Sequence, residues 1–224
     1  MARIPRGFDV AAAHEHLARR DRKLAKWMQR IPPIGADARW RKAFDPVDAL
    51  ARAILFQQLS GKAASTIVGR VEAASGSRRL DAAALSRLDD DGLRACGVSR
   101  NKVLALRDLC ARAAAGEIPS LRQMAHMDDG GIIDALTPVR GIGRWTVEML
   151  LIFRLGRPDV LPVDDLGIRK GAQLVDRSEE MPAPKALLER GERWGPYRTL
   201  ASLYLWRCCN VASAAAKPTP RSQE

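Results

Sequence analysis

Histidine, cysteine and aromatic residues are all scarce in this chain, whose 224 residues include three His, four Cys, four Phe, two Tyr and five Trp. His14, His16 and His126 stand outside any HExxH or Cys/His pattern, which argues against a metal site built from side chains. The cysteines are Cys96, Cys110, Cys208 and Cys209. No CxxC pair occurs, and the adjacent Cys208 and Cys209 have poor geometry for bridging each other. Reduced thiols of a cytosolic or nuclear protein are expected. Long apolar runs are missing too. The longest, around Met149 to Phe153, is far too short to cross a bilayer, and the opening MARIPRGFDV lacks the apolar stretch of a signal peptide. The expectation is a soluble protein that is not exported and has no membrane partner.

Positive charge is plentiful. Thirty-seven Lys and Arg against 26 Asp and Glu give a formal net charge of +11. Such a balance says nothing of fold but favours a polyanionic partner, because cations placed near phosphates release condensed counterions. Hydrophobic residues at 46% and charged residues at 28% are ordinary for a globular chain. The length suits one large domain or two small lobes.

Nearly every segment reads as helix. Asp9 to Arg30 carries Val10, Leu17, Leu24 and Met28 on one side and a basic face of Arg19, Arg20, Arg22, Lys23 and Lys26 on the other, ending at Pro32-Pro33. Asp45-Pro46 opens the next helix, which runs through Ile54 toward Gln57-Gln58-Leu59-Ser60 and stops at Gly61. Helices follow over 62–74, 99–115, 128–136, 144–155, 165–175 and 196–209, the one from Arg144 to Leu155 being the most apolar and so central. No run of alternating strand residues interrupts them. The expected fold class is all-α, with residues 1–210 forming a two-lobed helical core around a central cleft and 211–224 a loose tail.

The informative stretch is Leu136-Thr-Pro-Val-Arg-Gly-Ile-Gly-Arg-Trp-Thr146. One helix ends, Gly141-Ile142-Gly143 turns tightly, and another begins at Arg144, offering free amides and a positive dipole end to a phosphate. Arg140 and Arg144 flank the turn. Just downstream, Asp159-Val-Leu-Pro-Val-Asp-Asp-Leu-Gly-Ile-Arg169 places two acids, Asp164 and Asp165, at the start of a helix, where either would serve as a cap.

The hairpin string resembles the helix–hairpin–helix DNA-binding motif. With Pro-Val-Asp-Asp after it, the chain resembles the helix–hairpin–helix (HhH-GPD) DNA glycosylase superfamily, and within it the compact 3-methyladenine DNA glycosylase II family, the AlkA-like and yeast-type alkylbase enzymes. Arg-Ala-Ile-Leu-x-Gln-Gln-Leu-Ser at Arg52 to Ser60 and Trp-x-x-Tyr-Arg-Thr-x-Ala at Trp194 to Ala201 match the same branch. The resemblance runs from about residue 20 to 210 and implies a compact form without an N-terminal β domain.

That resemblance implies a set of roles. The backbone carbonyls of Thr137, Val139 and Ile142 would hold a monovalent Na+ or K+ bridging to a DNA phosphate. Gly141, Gly143, Arg144 and Thr146 would contact the backbone, as would Ser60 and Lys62. Gln58 and Leu59 are candidates to fill the gap left by a flipped base. The family's catalytic Asp stands three residues before an apolar helix position, and Ile168 gives Asp165 that offset; Asp164 is the rival. Trp145, Met149, Leu166 and Trp206 would line the base pocket, with Met149 and Leu166 where some relatives carry Tyr. Arg198 matches a family position of undetermined role. Trp145 occupies the position of the Lys nucleophile of bifunctional relatives, so lyase chemistry is not expected. The cysteines lack the spacing of an iron–sulfur cluster. The implied activity is monofunctional excision of alkylated bases from double-stranded DNA by a monomer, cytoplasmic and nucleoid-associated in a prokaryote or nuclear in a eukaryote. A non-catalytic DNA-binding module is the alternative.

Overall fold

A computed structural model of the protein describes residues 3–215. Those residues are helical and contain no strand. They fall into two compact units, one made of residues 3–5 and Arg41–Leu150, the other of Arg6–Trp40 and residues 151–215.

Capping chemistry sets the helix starts. In the second unit α1 (Val10–Arg20) begins after Asp9, which accepts the Ala12 amide at 3.0 Å. In the first unit α3 (Pro46–Phe56) follows Asp45, α4 (Gly61–Ser75) follows Ser60, α5 (Ala82–Leu85) follows Asp81 and α6 (Asp90–Ala95) follows Asp89. Each cap side chain accepts an amide from the first turn, a contact that contributes about 1 kcal/mol. Then come α7 (Arg100–Ala114), α8 (Leu121–Met124), α9 (Asp129–Leu136) and α10 (Arg144–Leu150). Leu50, Ile54, Leu55, Val103, Leu106 and Leu109 are buried where α3 packs on α7.

The single helix expected over Asp9 to Arg30 is two. Asp21 leaves the helical conformation (φ −139°) and separates α1 from α2 (Arg22–Met28), whose amides Lys23 and Leu24 it accepts at 3.1 and 3.0 Å. The cause lies far along the chain. Asp21 is 3% exposed and takes Arg190 Nη1 at 2.8 Å and Trp194 Nε1 at 2.9 Å. Burial opposes its ionisation most strongly. The Leu24 amide, the Arg190 charge and the Trp194 indole together outweigh burial and hold the carboxyl below its ordinary value. Arg190 also grips Asp176 through both oxygens.

The second unit is completed by a π-helical turn (Leu151–Leu155), α11 (Leu166–Asp176), α12 (Pro184–Gly191) and α13 (Arg198–Ala215). The π turn replaces the second half of the helix expected from Arg144 to Leu155. Trp40 Nε1 donates to Ile152 O at 2.8 Å, and Arg157 N reaches back to Leu151 O at 3.0 Å, fixing the widened register. Gly156, at φ +63°, follows it, and a Cβ there would stand 2.6 Å from the Trp40 ring. α13 continues to Ala215, past the start of the segment read as a loose tail; residues 216–224 lie outside the described residues.

α11 lies tightly against α13. A Cβ on Gly171 would overlap the Leu205 backbone carbonyl, so only glycine permits this approach. Around the pair, Leu17, Leu24, Ile168, Ala172, Leu187, Trp194, Leu200 and Tyr204 form one buried cluster. Each large side chain there contributes about 1.5–3 kcal/mol. Cys208 belongs to it, and burial pushes its thiol up to about 12.

Candidate active site

Asp165 is the N-cap of α11, accepting Ile168 N at 2.9 Å through Oδ1. Six other aspartates cap helices through first-turn amides, so capping alone marks nothing: Asp9, Asp21, Asp45, Asp81, Asp89 and Asp128. What sets Asp165 apart from all of these but Asp21 is a second, side-chain donor. Trp206 Nε1, from α13, donates to the same Oδ1 at 2.8 Å. Asp21 also takes a Trp indole, but it is sealed in the core under Arg190, whereas Asp165 is only half-buried. Oδ1 of Asp165 is thereby fixed from two helices, which sets the direction of the carboxylate. Asp164 is exposed in the turn before the helix.

Gly167 makes the Trp206–Asp165 contact possible. A Cβ on it would lie 2.9 Å from Trp206 Cδ1 and 3.1 Å from Asp165 Oδ1. Phe153 on the π turn stacks on the indole, with ring centroids 5.8 Å apart and planes 19° apart. Arg39 lies over Phe153 at 4.9 Å and is itself paired with Asp37. Phe153, Arg39 and Gly167 were not among the residues read as functional. Phe153 stands eight positions after Trp145 and four after Met149, a helical spacing that could have signalled it. Leu166, at N1 of α11, is 67% exposed.

In the first unit the hairpin has the expected form. α9 ends at Leu136, and Ile142 N donates to Val139 O at 2.9 Å. Gly141 takes φ +79°, a conformation that requires glycine, whereas Gly143 does not have positive φ. Val139 and Ile142 bury their side chains, leaving the turn's glycines exposed. Asp108 of α7 anchors the turn by accepting Arg140 N at 2.7 Å. Thr146 N closes the first turn of α10 onto Gly143 O. Arg144 is exposed and makes an i,i+4 pair with the buried Glu148 at 3.1 Å. Trp145 is 48% exposed and Met149 half-buried on the same helix.

The Gln57–Ser60 segment is tied to this hairpin by a residue that sequence reading passed over. Gln57 Nε2 donates to Gly141 O at 2.8 Å. Lys102 Nζ donates to Leu55 O and Gln57 O, both at 2.8 Å, so the end of α3 is held by α7 as well. Gln58 is forced to φ +56° and is exposed, next to Leu59 at 40% exposure. The helix therefore stops at Gln57 rather than at Gly61. Gly61 instead opens α4, because Ser60 Oγ caps that helix through Ala63 N at 3.3 Å. Lys62, on its first turn, is exposed.

Arg198 is engaged bidentately by Asp159, Nε to Oδ1 and Nη2 to Oδ2, both at 2.8 Å. It braces the loop before Asp165. Among the described residues no group of three or more His, Cys, Asp or Glu could hold a metal ion, and no helix is long and apolar enough to cross a membrane.

A tight glycine hairpin followed by a helix-capping aspartate, in an all-helical chain, defines a class. The chain belongs to the HhH-GPD superfamily of base excision DNA repair proteins, whose model matches residues 51–196. It is 36% identical over 178 residues to DNA-3-methyladenine glycosylase 1 of Schizosaccharomyces pombe, covering 79% of this chain and 78% of that one. Its fold is similar to the crystal structure of a DNA-3-methyladenine glycosidase from Bacillus halodurans (TM-score 0.79, 34% identity, 89% of each chain). It is likewise similar to the Schizosaccharomyces pombe 3-methyladenine DNA glycosylase in complex with abasic DNA (TM-score 0.78, 33% identity, 93% of this chain and 99% of that one).

Proposed function

We propose that the protein is a monofunctional DNA glycosylase. It binds double-stranded DNA and hydrolyses the N-glycosidic bond of alkylated bases of the 3-methyladenine type, in base excision repair. The relatives' names support the activity and substrate class. The observation that carries the chemistry is the Asp165 carboxylate, held in one orientation by Ile168 N and Trp206 Nε1.

Departure of the base builds positive charge on the deoxyribose. A carboxylate preset against C1′ stabilises that charge without reorganising, and can orient the attacking water. A base alkylated on a ring nitrogen is already a good leaving group, so modest catalysis suffices. Trp145, Met149, Leu166 and Trp206 are assigned to the base pocket, where an electron-rich indole suits a cationic base. Trp145 has no amine, so no Schiff base forms at that position and the strand is left intact.

Gly141, Gly143, Arg144, Thr146, Ser60 and Lys62 are assigned to the phosphate backbone, and Gln58 and Leu59 to the gap left by the flipped nucleotide. The carbonyls of Thr137, Val139 and Ile142 are neutral hard oxygens of the kind an alkali ion accepts. They would hold Na+ or K+ against a phosphate, and no redox or iron–sulfur centre takes part. The enzyme acts as a monomer in the compartment that holds the DNA, cytoplasm or nucleus.

The test is product analysis on methylated duplex DNA. Released 3-methyladenine with a strand that breaks only on alkaline treatment is expected, and borohydride should trap no protein–DNA adduct. Nicked strand or a trapped adduct would overturn the monofunctional assignment. Binding with no base released over a broad lesion panel would overturn the catalytic one.

A further inference from the structure

The basic face of the N-terminal helices is not at the candidate catalytic residue. Asp165 caps the N-terminus of α11, and Asp176 is that helix's last residue. At 1.5 Å per residue the two ends are about 16 Å apart along the axis. The basic face surrounds the far end. Lys23 pairs with Asp176 at 3.5 Å and donates to its carbonyl oxygen at 3.4 Å. A hollow of about 660 Å³ opens there between the α1–α2 junction, the end of α11 and Arg193. A second hollow, lined by Lys26, Trp27, Arg30 and Arg177, adjoins it through Lys23 and Asp176.

The charge there is unbalanced. The only acids lining the two hollows, Asp21 and Asp176, are both paired with Arg190, and Asp176 with Lys23 as well. Arg19, Arg20, Arg22, Lys26, Arg177 and Arg193 make no ion pair among the described residues. Cations at a helix C-terminus are favourable through its dipole, but Lys23 already meets that end. The backbone also bends to add another: Arg177 closes α11 at φ +56°, where glycine or asparagine is the usual occupant. Such a conformation is held against its intrinsic cost.

We propose that this surface is a second DNA-binding site. It takes the phosphate backbone of an undamaged duplex segment while the Asp165 end of α11 engages the lesion-bearing one. The spread of cations over two adjoining hollows suits a repeating polyanion better than a single small anion. Excision does not need this surface. It serves transfer of the protein between DNA segments.

The test compares the wild-type chain with a quadruple variant, Arg19→Gln, Arg20→Gln, Arg22→Gln and Lys26→Gln, after a thermal melt has established that both are folded. An undamaged duplex fixed to beads is loaded with protein and offered a second, labelled undamaged duplex, and the complex in solution is sized by sedimentation. The wild type should form complexes of one protein with two duplexes. Its release from the first should speed up with competitor DNA concentration. The variant should capture at least tenfold less second duplex and release at a rate independent of competitor. Its single-turnover base release on a short methylated duplex should stay within about twofold of wild type.

Retained capture by the variant, or none by the wild type, would overturn the proposal. A parallel loss of base release and first-duplex affinity would do so too, by assigning the face to the lesion-bearing duplex. Capture displaced as well by poly-glutamate as by duplex at equal charge would reassign the surface to acidic polypeptide. Capture uses undamaged DNA, so it stands or falls separately from glycosylase activity.

Discussion

Gly167→Ala should separate activity from stability. In an α-helix this exchange ordinarily stabilises by up to about 1 kcal/mol. Here the new methyl would sit 2.9 Å from Trp206 Cδ1 and 3.1 Å from Asp165 Oδ1. Ordinary contact between carbons is about 3.5–4.0 Å, so the indole must retreat by roughly 0.6 Å or more. Phe153, stacked on the indole, limits how it can move. A 2.8 Å hydrogen bond displaced that far falls outside normal range. Overpacking costs about 1–3 kcal/mol in a rigid core, less for a half-buried ring, so the propensity gain nearly offsets it. The melting midpoint should move by only a few degrees. A hydrogen bond to a charged group contributes about 1.5–3 kcal/mol. If that bond is what orients Asp165, single-turnover release of 3-methyladenine should fall by about 10- to 150-fold. Trp206→Phe removes the same donor and should show a comparable loss, and adding Gly167→Ala to it should cost little more. A Gly167→Ala protein with wild-type rate would refute the idea that the indole contact positions the carboxylate.

Two further outcomes concern the second unit. Gly171→Ala drives a methyl into the Leu205 backbone, which cannot swing aside, and should destabilise by about 3 kcal/mol in chemical denaturation. Asp21 and Asp176 are both held below the ordinary carboxylate value, burial opposing and Arg190 favouring the charged forms. Their contribution is therefore complete above the unfolded value, near about 4, and is lost as pH falls through the depressed folded values. Arg190→Leu strands Asp21 in the core, should cost about 3–5 kcal/mol at neutral pH, and should flatten the loss of stability below about pH 4. An acid-denaturation profile unchanged by that substitution would contradict the pairing.

The parts legible in the sequence were those that local chemistry decides. Gly141 and the Leu136–Thr146 string announce the hairpin, and Asp-Pro at 45–46 announces a helix start, because each acts on its immediate neighbours. What escaped depends on partners distant in the chain. Asp21 breaks a helix that its local periodicity supports, since Arg190 and Trp194 are 169 and 173 positions away. The π turn owes its register to Trp40, 112 positions earlier. Phe153 and Gly167 matter through Trp206, and Gln57 matters through Gly141, 84 positions on. Ser60 caps α4 and Lys62 stands on its first turn for a local reason, but the tether that fixes the preceding loop is tertiary.

Asp165→Asn examines the central claim most directly. The amide keeps the side chain's size and an oxygen that Ile168 N and Trp206 Nε1 can still meet, while removing the charge. Single-turnover excision of 3-methyladenine should drop by about 100- to 1000-fold, the usual cost of deleting a preset electrostatic stabiliser. Affinity for the same duplex should stay within a few-fold. Retention of more than a tenth of the wild-type rate, with the activity lost instead in Asp164→Asn, would contradict the account.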